Sequence, residues 1–153
     1  MPKVLSFKNN EIAAVANFLG DIKLKNKASR GRSKLIKILI NKDEDYREDL
    51  NSTRKLYFQA NENGELITQK DPKTKTEHYI FKDPKQKTEF AKEIREIENE
   101  SAVISLTEYS EKIKNLYIAL DGLDQELSDQ EALIYDTIMD QFDEAYGNPE
   151  EEE

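Results

Sequence analysis

Residues 109–146 read YSEKIKNLYIALDGLDQELSDQEALIYDTIMDQFDEAY, and this stretch decides the fold class. Tyr109, Ile113, Leu116, Leu120 and Leu123 recur at steps of four and three residues, the spacing of one face of an α-helix. A second stripe follows in Ala132, Tyr135, Met139, Phe142 and Tyr146. Between the stripes, Ser128 stands three residues before Glu131, the pattern of a helix-capping box. Gly122 and the acidic residues after it supply the turn. The pattern predicts a C-terminal helical hairpin with helices near 109–123 and 129–146. Leu116, Leu120, Tyr135, Met139 and Phe142 are expected to be buried.

Upstream, the pattern alternates between helix and short extended runs. Ala102 to Leu106 is an apolar run bounded by polar residues, a short strand. Asp83-Pro84 pairs a capping residue with a first-turn proline, and Gln86 suggests a capping box; Phe90, Ile94 and Ile97 form the buried face of the helix that follows. Asn63-Gly64 is a turn signal, and residues 65–69 and 77–81 flank Asp71-Pro72 as the arms of a hairpin with a polar tip at 73–76. A long helix is expected over about 29–58, with Leu35, Leu39, Lys42, Tyr46, Leu50, Thr53 and Tyr57 along its inner stripe. The apolar run at 35–40 is also compatible with a buried strand. Near the N-terminus, 3–7 reads as a strand. Asn9 or Asn10 caps a helix over 11–19 that Gly20 ends, and 21–25 alternates as a short extended segment. The whole is α+β and mostly helical, with a few short strands: one domain over 1–147 and a disordered acidic tail at 148–153.

Charge is sorted along this chain. Residues 1–60 carry 13 Lys and Arg against 7 Asp and Glu, residues 61–110 carry 8 against 11, and residues 111–153 carry 2 against 14. Such asymmetry points to charged macromolecular partners. The basic pole concentrates in 21–37, where seven positive residues meet one acid, Asp21. Lys27, Arg30, Lys34 and Lys37 fall on one helical face, with Arg32 beside them, and this is the candidate basic binding face. Its chemistry suits carboxylates or phosphates. Aromatic residues are missing from the segment, which disfavours base stacking. At the acidic pole, nine carboxylates lie between Asp121 and Glu144. Asp136, Asp140 and Asp143, one step round from the buried stripe, are the candidate acidic binding face. Such a row of carboxylates imitates phosphates and suits a basic groove on another protein.

Catalytic and metal chemistry find little footing. The chain has no cysteine, which excludes disulfides, thiol catalysis and zinc–thiolate sites. His78 is its single histidine and lies in an expected strand with no nucleophile motif around it. Glu93, Glu96 and Glu100 share a helical side without a histidine. The acidic loop at 121–129 fails as a calcium site, because Leu123 stands where a side-chain oxygen is needed and Glu126 where the sharp turn needs glycine. The expectation is a protein that is not an enzyme and has no cofactor or metal. Its start lacks the apolar core of a signal peptide, and no run approaches the ~18 apolar residues of a membrane span. A soluble protein inside the cell, with no membrane partner, is expected.

The block from Asn17 to Lys34 resembles a family of small uncharacterised proteins encoded by phages and prophages of Gram-positive bacteria. The resemblance rests on Phe18-Leu19 at a helix end, then Leu24-Lys25, then Lys27-Ala28-Ser29-Arg30 with Arg32 and Lys34. A weaker echo lies in Leu127-Ser128 and Tyr135-Asp136. The resemblance implies a setting: a phage accessory protein in the host bacterial cytoplasm, or one packed in a virion. Three readings follow. The first is a protein that binds a host or phage protein, itself nucleic-acid-binding on one version, and inhibits a nuclease or other defence component. The second is a tail or baseplate accessory, and the third a small nucleic-acid-binding protein that uses the basic helix.

Overall fold

The computed structural model describes residues 3–147; the acidic tail at 148–153 lies outside them. In chain order the elements are β1 (Val4–Lys8), α1 (Ile12–Asp21), α2 (Asn26–Tyr57), β2 (Thr68–Lys70), β3 (Glu77–Tyr79), α3 (Lys87–Asn99), β4 (Ser101–Ser105), α4 (Ser110–Asp121) and α5 (Asp129–Tyr146). Short 3-10 turns, Asn9–Glu11 and Pro84–Gln86, precede α1 and α3. The fold is α+β and mostly helical, as the periodicity predicts. Within the span that the sequence reading treats as one domain, the backbone clusters into two compact units. One combines residues 1–43 with 101–153; the other is residues 44–100.

In the first unit, β1 and β4 form an antiparallel pair with Leu5 opposite Ile104 and Phe7 opposite Ala102. Alternate residues face the core, so Leu5, Phe7, Ala102 and Ile104 are buried while Val4 and Val103 stay exposed. Leu5, Ile12, Leu19, Leu35, Leu39, Ile104, Leu116, Leu120 and Phe142 are completely inaccessible to solvent and belong to one core cluster. α4 and α5 run antiparallel, and tyrosines tie their ends together. Tyr135 near the start of α5 donates to the Leu120 carbonyl at 2.6 Å, and Tyr146 at its end donates to the Ser110 carbonyl at 2.8 Å. The Tyr117 ring stacks on Phe142 and Tyr146, with centroids 5.3 and 5.7 Å apart. The capping box of α5 forms as expected: Glu131 N donates to Ser128 Oγ, and Ser128 N donates to Glu131 Oε1. The Glu131 carboxyl is held below its ordinary pKa first by the bond from Ser128 N and then by a hydrogen bond with the Ser128 hydroxyl. Of the five residues expected to be buried here, Tyr135 is only half-buried, while Ile138, outside the expected stripe, is fully buried.

The second unit holds the last part of α2, the β2–β3 hairpin and α3. Its centre is aromatic. The Phe58 ring lies 4.6 Å from Phe81, 4.7 Å from Phe90 and 5.1 Å from Tyr79, and Tyr57 lies 5.5 Å from Phe90. Isolated bridges join Phe58 to Phe81 and Ala60 to Leu66, so residues 58–60 brace the base of the hairpin on both sides. The turn beyond β2 is built from its own hydrogen bonds, Asp71 N to the Thr76 carbonyl and Lys73 N to Asp71 Oδ1.

Several local expectations are corrected. Asn9 and Asn10 do not cap α1; they form the 3-10 turn before it, and Glu11 Oε1 accepts from Lys8 N at its start. Gly20 does not end α1, which continues to Asp21; the segment after it leaves the helix with Ile22 extended and buried in the core. The run at 35–40 is helical, and α2 begins at Asn26, three residues before expected. Asp83 caps Lys85 N alone, with no capping box through Gln86. The hairpin arms have three residues each, and Phe90, Ile94 and Ile97 are half-buried rather than buried.

Candidate functional site

The basic face sits at the start of α2, in the first unit. Because α2 begins at Asn26, Lys27, Arg30, Lys34 and Lys37 do share one helical side, as the sequence expects. Their environments differ. Lys27, Arg30 and Lys37 are exposed, and among the described residues none of the three is held by a hydrogen bond or ion pair. Lys34 is half-buried, with its Nζ 5.1 Å from the centroid of the Tyr109 ring, a cation–π contact that ties α2 to the start of α4. Arg32 turns to the other side. Its guanidinium donates to the Ile22 and Leu19 carbonyls and to Ser29 Oγ. A cation over the last carbonyls of α1 satisfies groups that the helix itself cannot pair. That bond explains why α1 runs past Gly20, and it makes Arg32 part of the fold. Lys23 and Lys25, just upstream, are exposed and extend the positive surface.

Positive charges at the N-terminus of a helix oppose the helix dipole, so Lys27 and Arg30 do not help α2 to form. What seats this end of α2 is packing. Gly31 is buried, and a Cβ added there would collide with the backbone oxygen of Lys112 in α4. Ala28 is also buried beside it. The small side chains let α2 approach α4 closely, and this approach leaves the long cationic side chains on the open side. The sequence reading missed Gly31. Its only signal was an otherwise unexplained glycine inside a helical pattern.

The acidic face lies on α5. Asp136, Asp140 and Asp143 are all exposed at four- and three-residue spacing, so the chain brings them onto one side. Asp136 and Asp140 have no hydrogen bond or ion pair among the described residues. Asp143 is engaged: its Oδ1 and the Gly147 carbonyl both lie within reach of the Tyr117 hydroxyl, which has one proton to donate between them. The negative field is felt nearby. Tyr135 is pushed above its ordinary pKa by burial first and then by the charges of Asp121, Asp136 and Asp143. Tyr146 is raised by burial, an effect opposed by the Ser110 bond and by Lys114.

His78 lies in exposed β3, where its Nε2 meets Thr76 Oγ1 at 2.8 Å. Thr76 Oγ1 in turn meets Thr74 Oγ1 at 2.6 Å, so His78 ends a short chain of exposed hydroxyls. Among the described residues, no group of three or more His, Asp or Glu is placed to hold a metal ion. No described helix is long and apolar enough to cross a membrane.

A family model described as "Protein of unknown function (DUF1617)" matches residues 3–148, and the chain belongs to that family. No curated protein and no solved structure matches it.

Proposed function

We propose that this member of the DUF1617 family is a non-enzymatic accessory protein that works by binding another protein through its charged faces. The observation that carries the reading is that one compact unit holds Lys27, Arg30 and Lys37 on α2 and Asp136 and Asp140 on α5, all exposed and without a hydrogen bond or ion pair among the described residues. Charges of that kind contribute little to folding but steer association and select partners by complementarity. The setting is the one implied by the resemblance of residues 17–34: a phage protein acting on a host or phage protein in the bacterial cytoplasm. A basic, nucleic-acid-handling protein, such as a nuclease of host defence, is the partner whose surface best complements the aspartates of α5. The test is capture from a Gram-positive host lysate with the immobilised chain across a salt series. The expected result is a stoichiometric partner retained at low salt and shed as salt rises over the Debye range. Recovery of no stoichiometric protein at low salt contradicts the proposal, and so does one whose retention is indifferent to salt.

A further inference from the structure

The second unit carries a surface of a different kind. From the start of β2 to Lys87, six lysines stand against three acids, Asp71, Glu77 and Asp83. Two of those acids are committed to backbone turns: Asp71 accepts from Lys73 N at 2.8 Å and Asp83 from Lys85 N at 3.0 Å. Lys70, Lys73, Lys75, Lys85 and Lys87 are exposed. Two open grooves, of ≈ 490 and ≈ 790 Å³, flank β3 and share His78, Tyr79 and Phe81 in their walls. Lys70 lines the first and Lys87 the second.

Tyr79 is the hinge of this arrangement. Its ring leans on Phe58 at 5.1 Å, and Phe58 is itself packed against Phe81 and Phe90. The ring is therefore backed by the buried Phe58 and its half-buried aromatic neighbours, yet it remains 43 % exposed. A large aromatic surface left open to water has to be explained, and here it shares its grooves with Lys70 and Lys87, beside Asp71 and Glu77, on a hairpin whose turn adds the exposed Lys73 and Lys75. A flat ring held from behind and open in front, on a segment with an excess of exposed lysines, is an arrangement that accepts an unpaired base by stacking while ammonium groups along the hairpin meet the phosphates. A double helix offers no such base face, because its bases are already stacked on each other.

We propose that the β2–β3 hairpin is a binding site for single-stranded nucleic acid, with Tyr79 as the stacking platform and Lys70, Lys73, Lys75 and Lys87 tracking the backbone. The site is separate from the charged faces of the first unit and does not depend on the reading given to them. An acidic peptide would meet the lysines equally well but has no flat ring for Tyr79, so the aromatic platform favours the nucleic acid.

The chain contains no tryptophan, which makes a direct test available. Tyr79→Trp places its sole indole at the platform, and the probe is an oligothymidylate of about 15 nucleotides, near the upper end of common single-strand site sizes. Stacking is expected to quench the indole fluorescence saturably. In a parallel anisotropy titration with the fluorescein-labelled oligonucleotide, Tyr79→Ala is expected to weaken binding by about tenfold and Tyr79→Phe to preserve it. Lys73→Ser with Lys75→Ser should flatten the salt dependence by roughly 0.7 in log–log slope for each phosphate that is no longer neutralised. Three outcomes overturn the proposal. They are no quenching and no binding at low salt; binding that Tyr79→Ala leaves intact but Arg30→Glu with Lys37→Glu abolishes; and an equally charged oligoglutamate peptide that competes as well as the oligonucleotide does. Circular dichroism of each variant keeps a folding defect from being read as weakened binding.

Discussion

Gly31 shows how a single residue can invert a general rule. Glycine inside an exposed helix ordinarily costs about 1 kcal/mol relative to alanine, so Gly→Ala usually stabilises. Here the added methyl would meet the backbone oxygen of Lys112, which no side-chain rotation can move aside. Gly31→Ala is therefore expected to destabilise by about 2–3 kcal/mol, with α2 and α4 forced apart, and a chemical-denaturation curve measures it. Unchanged or raised stability would show that the two helices are not in close approach. Asp143 supports a second comparison. Asp143→Ala removes an acceptor of the Tyr117 hydroxyl and should lower stability by about 1 kcal/mol, whereas Asp136→Ala should stay within about 0.5 kcal/mol. Equal effects of the two would mean that the Tyr117 bond does not form. Neither Gly31 nor Arg32 announces its role in the sequence. The partner of Gly31 is 81 residues away in the chain, and Arg32 reads as one more cation in a basic run until α1 is folded against it.

At the scale of elements, much more was legible. The inner stripe of α2 is confirmed position by position. Leu35, Leu39, Thr53 and Tyr57 are buried, and Lys42, Tyr46 and Leu50 are half-buried in between. Helical periodicity survives in the sequence because burial selects every third or fourth residue whatever the partner surface is. Strand pairing leaves no such trace: β1 and β4 each read as short apolar runs, and nothing local says that Leu5 faces Ile104. The basic face was legible as a helical face, but its division into free cations and the structural Arg32 was not. Tyr57 gives this scale a titratable marker. Burial, followed by its hydrogen bond with Glu93 and the charge of Glu89, pushes its phenol from 10.0 up to about 12. A raised pKa means that the folded unit favours the neutral phenol. The associated stabilisation is fully present below pH 10 and is lost as pH rises towards 12. Melting temperature should fall across that window, and Tyr57→Phe, which keeps the ring against Phe90, should make the fall shallower. An identical alkaline profile in the variant would show that the phenol does not sense those glutamates.

For the molecule as a whole, sorted charge is the organising fact, and the structure separates its uses. Arg32, Lys34 and Asp143 are drawn into the fold by the α1 carbonyls, Tyr109 and Tyr117. Lys27, Arg30, Lys37, Asp136 and Asp140 are left to solvent. Like charges concentrated on α5 repel one another in the free protein, so neutralising them should be neutral or mildly stabilising for the fold. The most direct measurement of the central claim compares capture of a lysate partner by the wild-type chain and by Asp136→Asn with Asp140→Asn, with melting temperatures recorded on the same preparations. The account predicts an unchanged or slightly raised melting temperature together with loss of the salt-sensitive partner. A double variant that melts like the wild type and captures the same protein in the same amount at low salt would contradict the account, and would leave the α5 carboxylates as solvated surface.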